Sequence, residues 1–400
     1  MQFLRSCRYK IHMRIKQRIH DVIVIGAGPI GSHTAYLLAK QGFDVMICEK
    51  NSAVGNDVNC TGIISAECMK RFNLVSDVID KPVHTIKAFA PSGNSVHYRS
   101  EKPFAYTVNR SSFDRELNSL AQHAGVRTYL NTHVREVYSG KESFEISVKY
   151  SDGTEKLFRS KVGVIATGFE LNTLNGLQSR HVDFSYGIQT DVLMDNITDV
   201  EVYFGKHIAP GSFAWVVPTN GKSAKVGLIV KNNPVEYLKR FLESRQIANR
   251  LMSQDYKIKC SPLPMKRIQQ SYGERLVIVG EAAGQVKTTT GGGIYFGLLC
   301  SEIAVKIISD AFARNDFSKR MFRNYETEWR KAIDPELKAG KRLRNFFERL
   351  NDGQINFLVN LAKTDGILPA IRSSDFDWHR DIISFLMGKL IKKKIFQNEE

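Results

Sequence analysis

The stretch Asp21-Val22-Ile23-Val24-Ile25-Gly26-Ala27-Gly28-Pro29-Ile30-Gly31, with Glu49 at the end of the next apolar run, decides the reading of this chain. Four β-favouring residues, Val22 to Ile25, lead into a glycine turn, and a helical pattern follows from about Ser32 to Lys40. A second run, Val45-Met46-Ile47-Cys48, then stops at the acid. This order fits a nucleotide-binding βαβ unit. Gly26 permits the tight turn, Gly28 lets the backbone approach a pyrophosphate, and Gly31 lets helix and strand pack closely. The helix start offers free N–H groups to phosphates. Glu49 is placed to accept hydrogen bonds from an unphosphorylated ribose diol. The alternative is a glycine turn inside an ordinary α/β fold.

A chain of 400 residues has room for more than one domain, and its 42% hydrophobic content suits a globular core. No uninterrupted apolar run reaches the length of a bilayer-spanning helix. Arg5, Arg8, Lys10, Arg14, Lys16 and Arg18 precede the first acid, with no apolar block for a secretory signal. A transit peptide and a start at Met13 both fit that pattern, so residues 1–18 are set aside as a basic leader. Cys7, Cys48, Cys60, Cys68, Cys260 and Cys300 are scattered without a CxxC pair. Such spacing suits a reducing cytosol and argues against a disulfide scaffold, a metal site or an iron–sulfur cluster. The net charge of +16 promotes adsorption to nucleic acid or to anionic lipid. Apolar neighbours of the late charges favour lipid, so no nucleic acid is expected and the location is cytoplasmic, at a membrane periphery.

Further along, Cys60-Thr61-Gly62-Ile63-Ile64-Ser65 opens a predicted helix through about Asn73, and short strands fill His84 to Tyr106. A helix starts at Arg110, with Ser111 or Ser112 as its cap, and ends at Gly125. Strands follow at Val126–Leu130, His133–Ser139, Ser143–Tyr150 and Lys156–Phe158. The apolar strand Val162–Ile165 then runs into Ala166-Thr167-Gly168. Between about Asp183 and Ser261 the pattern is mostly antiparallel sheet, with Phe213–Pro218 and Ala224–Val230 alternating around Asn220-Gly221. Leu276–Val279 leads to Gly280-Glu281-Ala282-Ala283-Gly284 and then to Gly291-Gly292-Gly293, which opens a helix. The remainder reads as helices rich in Lys and Arg.

That second glycine turn suits a flavin better than a nicotinamide. Glu281 sits beside backbone N–H groups, where a ribityl hydroxyl and the pyrophosphate would lie. A helix opening on three glycines can meet the flavin N1/C2 carbonyl region, and its partial positive charge favours the anionic reduced ring. Turn punctuation is the alternative for these glycines. No second nucleotide fingerprint exists for a nicotinamide donor. The fold class expected is α/β: a discontinuous Rossmann-like FAD-binding domain (19–84, 105–182 and 262–310) with an inserted, mostly antiparallel β-sheet substrate domain (85–104 and 183–261). A helical C-terminal region (311–400) completes it.

These features resemble the FAD-dependent geranylgeranyl reductase family, within the wider p-hydroxybenzoate-hydroxylase-like flavoprotein group, over about residues 19 to 380. Gly280–Ile294 is close to the family's GDAAG…P-T-T-G-G-G-I. Pro210-Gly211-Ser212-Phe213-Ala214-Trp215-Val216-Val217-Pro218, followed by Gly227, is similar to P-x-x-Y-x-W-x-F-P…G. Cys60-Thr61-Gly62 sits where many members place a cysteine–glycine pair near the flavin ring. Glu281, Thr288 and Phe213 depart from the usual aspartate, proline and tyrosine. The first two are expected to keep the binding role, and the third removes a hydroxyl from the pocket.

The resemblance implies FAD contacts at Gly26, Gly28, Gly31, Glu49, Arg110, Val134 (through backbone, at the adenine edge), Gly168, Glu281, Gly292 and Gly293. For Arg110 a pair with Asp114 is the alternative. The implied reaction saturates an isolated C=C bond of a prenyl lipid or prenylquinone, with hydride from reduced flavin N5 and a proton to the other carbon. NADPH or a ferredoxin-like protein supplies electrons. Phe213, Trp215 and Pro218 are the substrate-wall candidates, with plain core packing as the alternative. Cys60 is the candidate proton donor, with inert packing as its alternative. A helix over Asp381–Ile395, ending in Lys392-Lys393-Lys394, suits an anionic membrane surface or the protein's own core. A flavin monooxygenase or halogenase is the second functional reading, since Phe213–Pro218 also resembles the halogenase W-x-W-x-I-P.

Overall fold

The structure, a computed structural model, describes residues 18–150, 152–169, 183–364 and 376–392. At its centre, the strands Leu276–Ile278, Glu155–Ile165, Ile19–Ile25, Val45–Cys48 and Arg127–Tyr129 run parallel, in that spatial order. Val22 to Ile25 are at most 4% exposed, as expected of a strand covered on both faces. Their alternation divides the core. Val22 and Val24 pack under the helices Pro29–Lys40, Arg110–His123 and Ile294–Arg314, whereas Ile23 and Ile25 pack with Phe144, Ile146 and Val148 of an antiparallel hairpin.

The second sheet has seven strands, in the order Ile258–Pro264, Phe184–Leu193, Ser223–Val230, Ala214–Pro218, Val200–Tyr203, Thr85–Phe89 and Ser95–Arg99. All its pairs are antiparallel except Val200–Tyr203 with Thr85–Phe89. One face, carrying Ala214, Val216 and Leu228, is covered by Leu238, Phe241 and Leu242 of the helix Pro234–Glu243. The opposite face, carrying Phe213, Trp215 and Ile229, looks toward the first sheet across a cavity.

Several local expectations are corrected. The helix placed at Cys60–Asn73 is instead a strand, Ile63–Ser65, pairing with Ala105–Val108, and then a short helix, Ala66–Arg71. Ile63 and Ile64 are β-branched, and Ser65 supplies the cap by accepting the Cys68 N–H at 2.8 Å. The strands placed at Lys156–Phe158 and Val162–Ile165 are one strand, Glu155–Ile165, because Arg159 and Ser160 stay paired to Ile19 and His20. Asn109, not Ser111 or Ser112, caps the Arg110–His123 helix, accepting the Ser112 N–H at 3.0 Å. The first helix starts at Pro29, whose fixed φ suits a first helical position.

At the C-terminal end, the helix Arg380–Lys392 is anchored by Glu336, whose carboxylate accepts the backbone N–H groups of His379 and Arg380. Ile383 is 5% exposed, so this part of the apolar face packs on the protein. Lys393, Lys394 and the leader residues 1–17 lie outside the described residues. Among those described, no helix is long and apolar enough to cross a membrane.

Candidate functional site

The first crevice forms where the strand Ile19–Ile25 ends. Gly26 has φ +102°, and a Cβ on it would lie 2.5 Å from the Ala166 carbonyl oxygen. A Cβ on Gly31 would lie 2.0 Å from the Gly26 oxygen, so helix and turn touch through backbone there. Around Gly28 nothing lies within 4 Å of the Cβ position, which leaves its backbone approachable. Glu49, 9% exposed, accepts the Ala27 N–H at 2.8 Å and the Asn51 N–H at 2.9 Å, one on each oxygen. A carboxylate retains further lone pairs after two such bonds. Glu49 and Val134 line a small cavity of about 50 Å³ with Gly26, Thr132 and Thr167.

The second crevice lies beyond Leu276–Ile278. Gly280 and Gly284 have φ of +69° and +72°, bending the chain around Glu281. Cβ positions on Gly168 and Gly293 lie 3.8 Å and 3.5 Å from the Glu281 oxygens, so this carboxyl sits between the two glycine turns. Burial pushes the Glu281 carboxyl up, while Arg110 and the Phe169 N–H pull it back. Gly293 precedes the helix Ile294–Arg314 with no side chain capping it, so the first N–H groups of that helix are open to an acceptor.

Between the crevices and the second sheet is a cavity of about 470 Å³. Cys60, Gly62, Glu281, Gly291 and Gly292 border it on one side; Phe213, Trp215, Val217 and Ile229 border it on the other. Trp215 reaches it because Gly227 on the neighbouring strand has no side chain: a Cβ there would be 2.5 Å from the indole Cζ2. Phe213 stands 6.0 Å from Trp215, centroid to centroid. Pro218 is a correction. Strand alternation puts it on the face of Ala214 and Val216, away from the residues that line the cavity.

Arg110 is held by Asp114 at 2.9 Å and also reaches Cys60. The local pair that rivalled a cofactor role is therefore present. Burial raises the Asp114 carboxyl while Arg110 opposes the rise. Thr288 turns away from the cavity: it is buried, its hydroxyl donates to the Leu337 carbonyl, and its own carbonyl accepts from Arg344 at 2.9 Å.

Two cavity residues were given no chemistry by the sequence. Lys287 borders the cavity with its ammonium 2.8 Å from Asp377. His379 donates from Nε2 to the Phe376 carbonyl at 2.9 Å, which makes its Nδ1 the acceptor for the Thr289 hydroxyl at 3.0 Å. Burial, with Lys287 adding to it, lowers the imidazole to about 4. The signal was present in the sequence: a lysine inside a glycine–threonine run, and Phe376-Asp377-Trp378-His379 set among simpler residues.

The residues fit an extended dinucleotide. Gly26, Gly28, Gly31, Glu49 and Val134 would hold an adenosine and pyrophosphate, and Glu281, Gly292 and Gly293 the flavin end, where the chemistry would be two-electron transfer.

Comparisons with known proteins agree with that fit. The family model "FAD dependent oxidoreductase" matches residues 21–77, and "Tryptophan halogenase" matches residues 68–336. The digeranylgeranylglycerophospholipid reductase of Methanocaldococcus jannaschii is 30% identical over 376 residues, covering 89% of this chain and 94% of that protein. Its counterpart from Methanococcus vannielii is 27% identical, covering 87% and 92%. Among solved structures, a geranylgeranyl bacteriochlorophyll reductase-like protein from Thermoplasma acidophilum aligns with a TM-score of 0.82 at 22% identity, over 93% of this chain and 99% of that one. A flavin-dependent brominase aligns with a TM-score of 0.72 at 18% identity, over 94% and 100%. The two solved structures share the α/β fold, and the halogenase-type matches mark the wider flavoprotein group. With 30% identity sustained along nearly all of both chains, the protein belongs to the digeranylgeranylglycerophospholipid reductase family of FAD-dependent oxidoreductases.

Proposed function

We propose that this protein saturates isolated C=C bonds in the prenyl chains of a geranylgeranyl-type lipid. The observation that carries the reading is the cavity itself. It joins the glycine-led helix start at Gly292 to an aromatic wall made by Phe213 and Trp215, in a chain of this family. Bound across the two crevices, FAD supplies the reducing equivalents as hydride from its reduced ring.

The chain's own residues do the rest. An unactivated alkene stabilises developing positive charge poorly, so its geometry and surroundings must be fixed. Phe213, Trp215, Val217 and Ile229 exclude water and hold the chain flat; the ring faces of Phe213 and Trp215 favour cationic character. Cys60, on the opposite wall and in contact with Arg110, presents its Sγ to the same cavity as the candidate proton donor. The chain has a single nucleotide fingerprint, so NADPH or a ferredoxin-like donor delivers electrons without a domain of its own. The basic run Lys392-Lys393-Lys394 serves an anionic membrane from which the lipid is drawn.

The test is chemical reduction of the FAD-loaded protein under anaerobic conditions, followed by addition of digeranylgeranyl glycerophospholipid and mass analysis of the product. The reading expects two hydrogens gained per double bond. An oxygen-dependent hydroxylation or a halide-dependent halogenation, with no hydrogen gain, would replace it with the monooxygenase or halogenase reading.

A further inference from the structure

We infer that Lys287 is a built-in cation for the reduced cofactor, one that favours the deprotonated ring over the neutral one; the inference rests on the FAD reading above. The run after Glu281 folds so that this lysine is clasped by the glycines. The Gly291 N–H donates to the Lys287 carbonyl at 2.8 Å, and the Lys287 N–H donates to the Gly292 carbonyl at 2.9 Å. The side chain then passes beside Gly292: a Cβ on that glycine would be 3.0 Å from Lys287 Cε and 3.6 Å from Nζ. The ammonium, the positive end of an ion pair with Asp377, thus stands beside the uncapped start of the helix Ile294–Arg314, whose dipole contributes about half a charge of the same sign; the Glu281 carboxyl and the His379 imidazole border the same cavity.

The ammonium is also polarised toward the cavity. It has three N–H donors. One goes to Asp377 Oδ1 at 2.8 Å and one to the Phe376 carbonyl at 3.3 Å. The face of the Phe376 ring lies 5.0 Å from the same ammonium, and both side chains border the cavity. Lys287 borders the cavity, whereas Asp377 does not; the carboxylate lies behind, with its other oxygen held by the Ser65 hydroxyl. The side chains are 7% and 4% exposed. Burying an ion pair this deeply is unfavourable compared with apolar packing, so tying the C-terminal segment down is a weak reason for it. Positive-end-first orientation toward an acceptor is a stronger one.

The electron balance is simple. A donor that delivers two electrons and one proton to the oxidised ring leaves it with one negative charge at the pyrimidine end. A second proton at N1 would cancel that charge, and an adjacent ammonium disfavours its uptake. Lys287 therefore raises the two-electron potential and keeps the ring anionic.

The experiment uses the FAD-loaded full chain and two neutral variants, Lys287→Met and Lys287→Gln. Each is reduced anaerobically with dithionite and scanned from acid to alkaline pH for the absorbance change of reduced-ring ionisation. Potentials are read against reference dyes. The proposal expects a loss of at least about tenfold in the anionic-to-neutral ratio, a rise of about one pH unit in the transition, for both variants. The potential should become more negative, FAD content should stay at one per chain, and Lys287→Arg should restore the wild-type transition. Variants that retain FAD and titrate like wild type, in ionisation and potential, overturn the proposal while leaving the cofactor reading intact. A wild-type chain that takes up no FAD overturns the cofactor reading, and this one with it.

Discussion

The carboxylate of Glu49 accepts the backbone N–H of Ala27 at 2.8 Å, bridging the end of one parallel strand to the glycine turn of its neighbour. The same side chain therefore shapes the turn and presents lone pairs to the small cavity beside Val134. Replacing Glu49 with Ala removes two backbone acceptors and the ribose acceptor together. Hydrogen bonds to a charged group contribute about 1.5–3 kcal/mol each. FAD affinity should fall by at least tenfold, as read by titration of flavin fluorescence.

Gly31 tests the packing of the same unit. A methyl group there meets the Gly26 carbonyl oxygen at 2.0 Å, backbone against backbone, with no flexible side chain to yield. Overpacking of this kind costs about 1–3 kcal/mol. Gly31→Ala should lower the thermal midpoint and release FAD. At Gly28, where the Cβ position is open, alanine should leave the apoprotein's midpoint near wild type.

Gly227→Val separates substrate from cofactor. Its Cβ would meet the Trp215 indole at 2.5 Å and also Gln189 Cβ and the Ile188 carbonyl oxygen at 2.6 Å, so the strand pairing must shift with the indole; Trp215→Ala, which removes the indole without that clash, is the companion variant. The expected outcome is unchanged FAD content with lipid turnover reduced by tenfold or more, the scale on which misplaced positioning groups act. Loss of FAD from Trp215→Ala, with the thermal midpoint unchanged, would make Trp215 part of the cofactor site and not of the substrate wall.

The fold predicts an acid-sensitive stability. His33, 6% exposed beneath Phe72, is lowered by burial to about 4, and His379 is lowered to about 4 by burial and Lys287. In the unfolded chain both protonate near their ordinary value of 6.5. The unfolded state therefore binds more protons between those limits, and stability is lost as pH falls from about 6.5 toward 4. Denaturation midpoints should drop over that window. His33→Met should show a shallower acid limb than wild type, whatever its midpoint at neutral pH.

What the sequence disclosed depended on how local the signal was. The parallel unit was readable because Val22–Ile25, the glycines and Glu49 announce it within thirty residues. The cavity wall was readable in part: alternation identified the Phe213–Pro218 strand, but not which parity faces inward, and Pro218 proved to lie on the other face. Ile63–Ser65 was misassigned because three residues are too few to show a period, and its partner Ala105–Val108 lies forty residues on. Lys287 and Asp377 were missed for the same reason at longer range. Ninety residues separate them, and only tertiary folding turns two ordinary charges into a buried pair beside Gly292.

The most direct measurement is a structure of the FAD complex, in which the separation between the isoalloxazine and the Trp215 indole is read from the map. The account predicts adenine against Val134 and Glu49, the pyrimidine edge at Gly292, and the flavin ring sharing one cavity with Trp215. An adenine bound elsewhere, or a ring placed outside the space between Gly292 and Trp215, would contradict it.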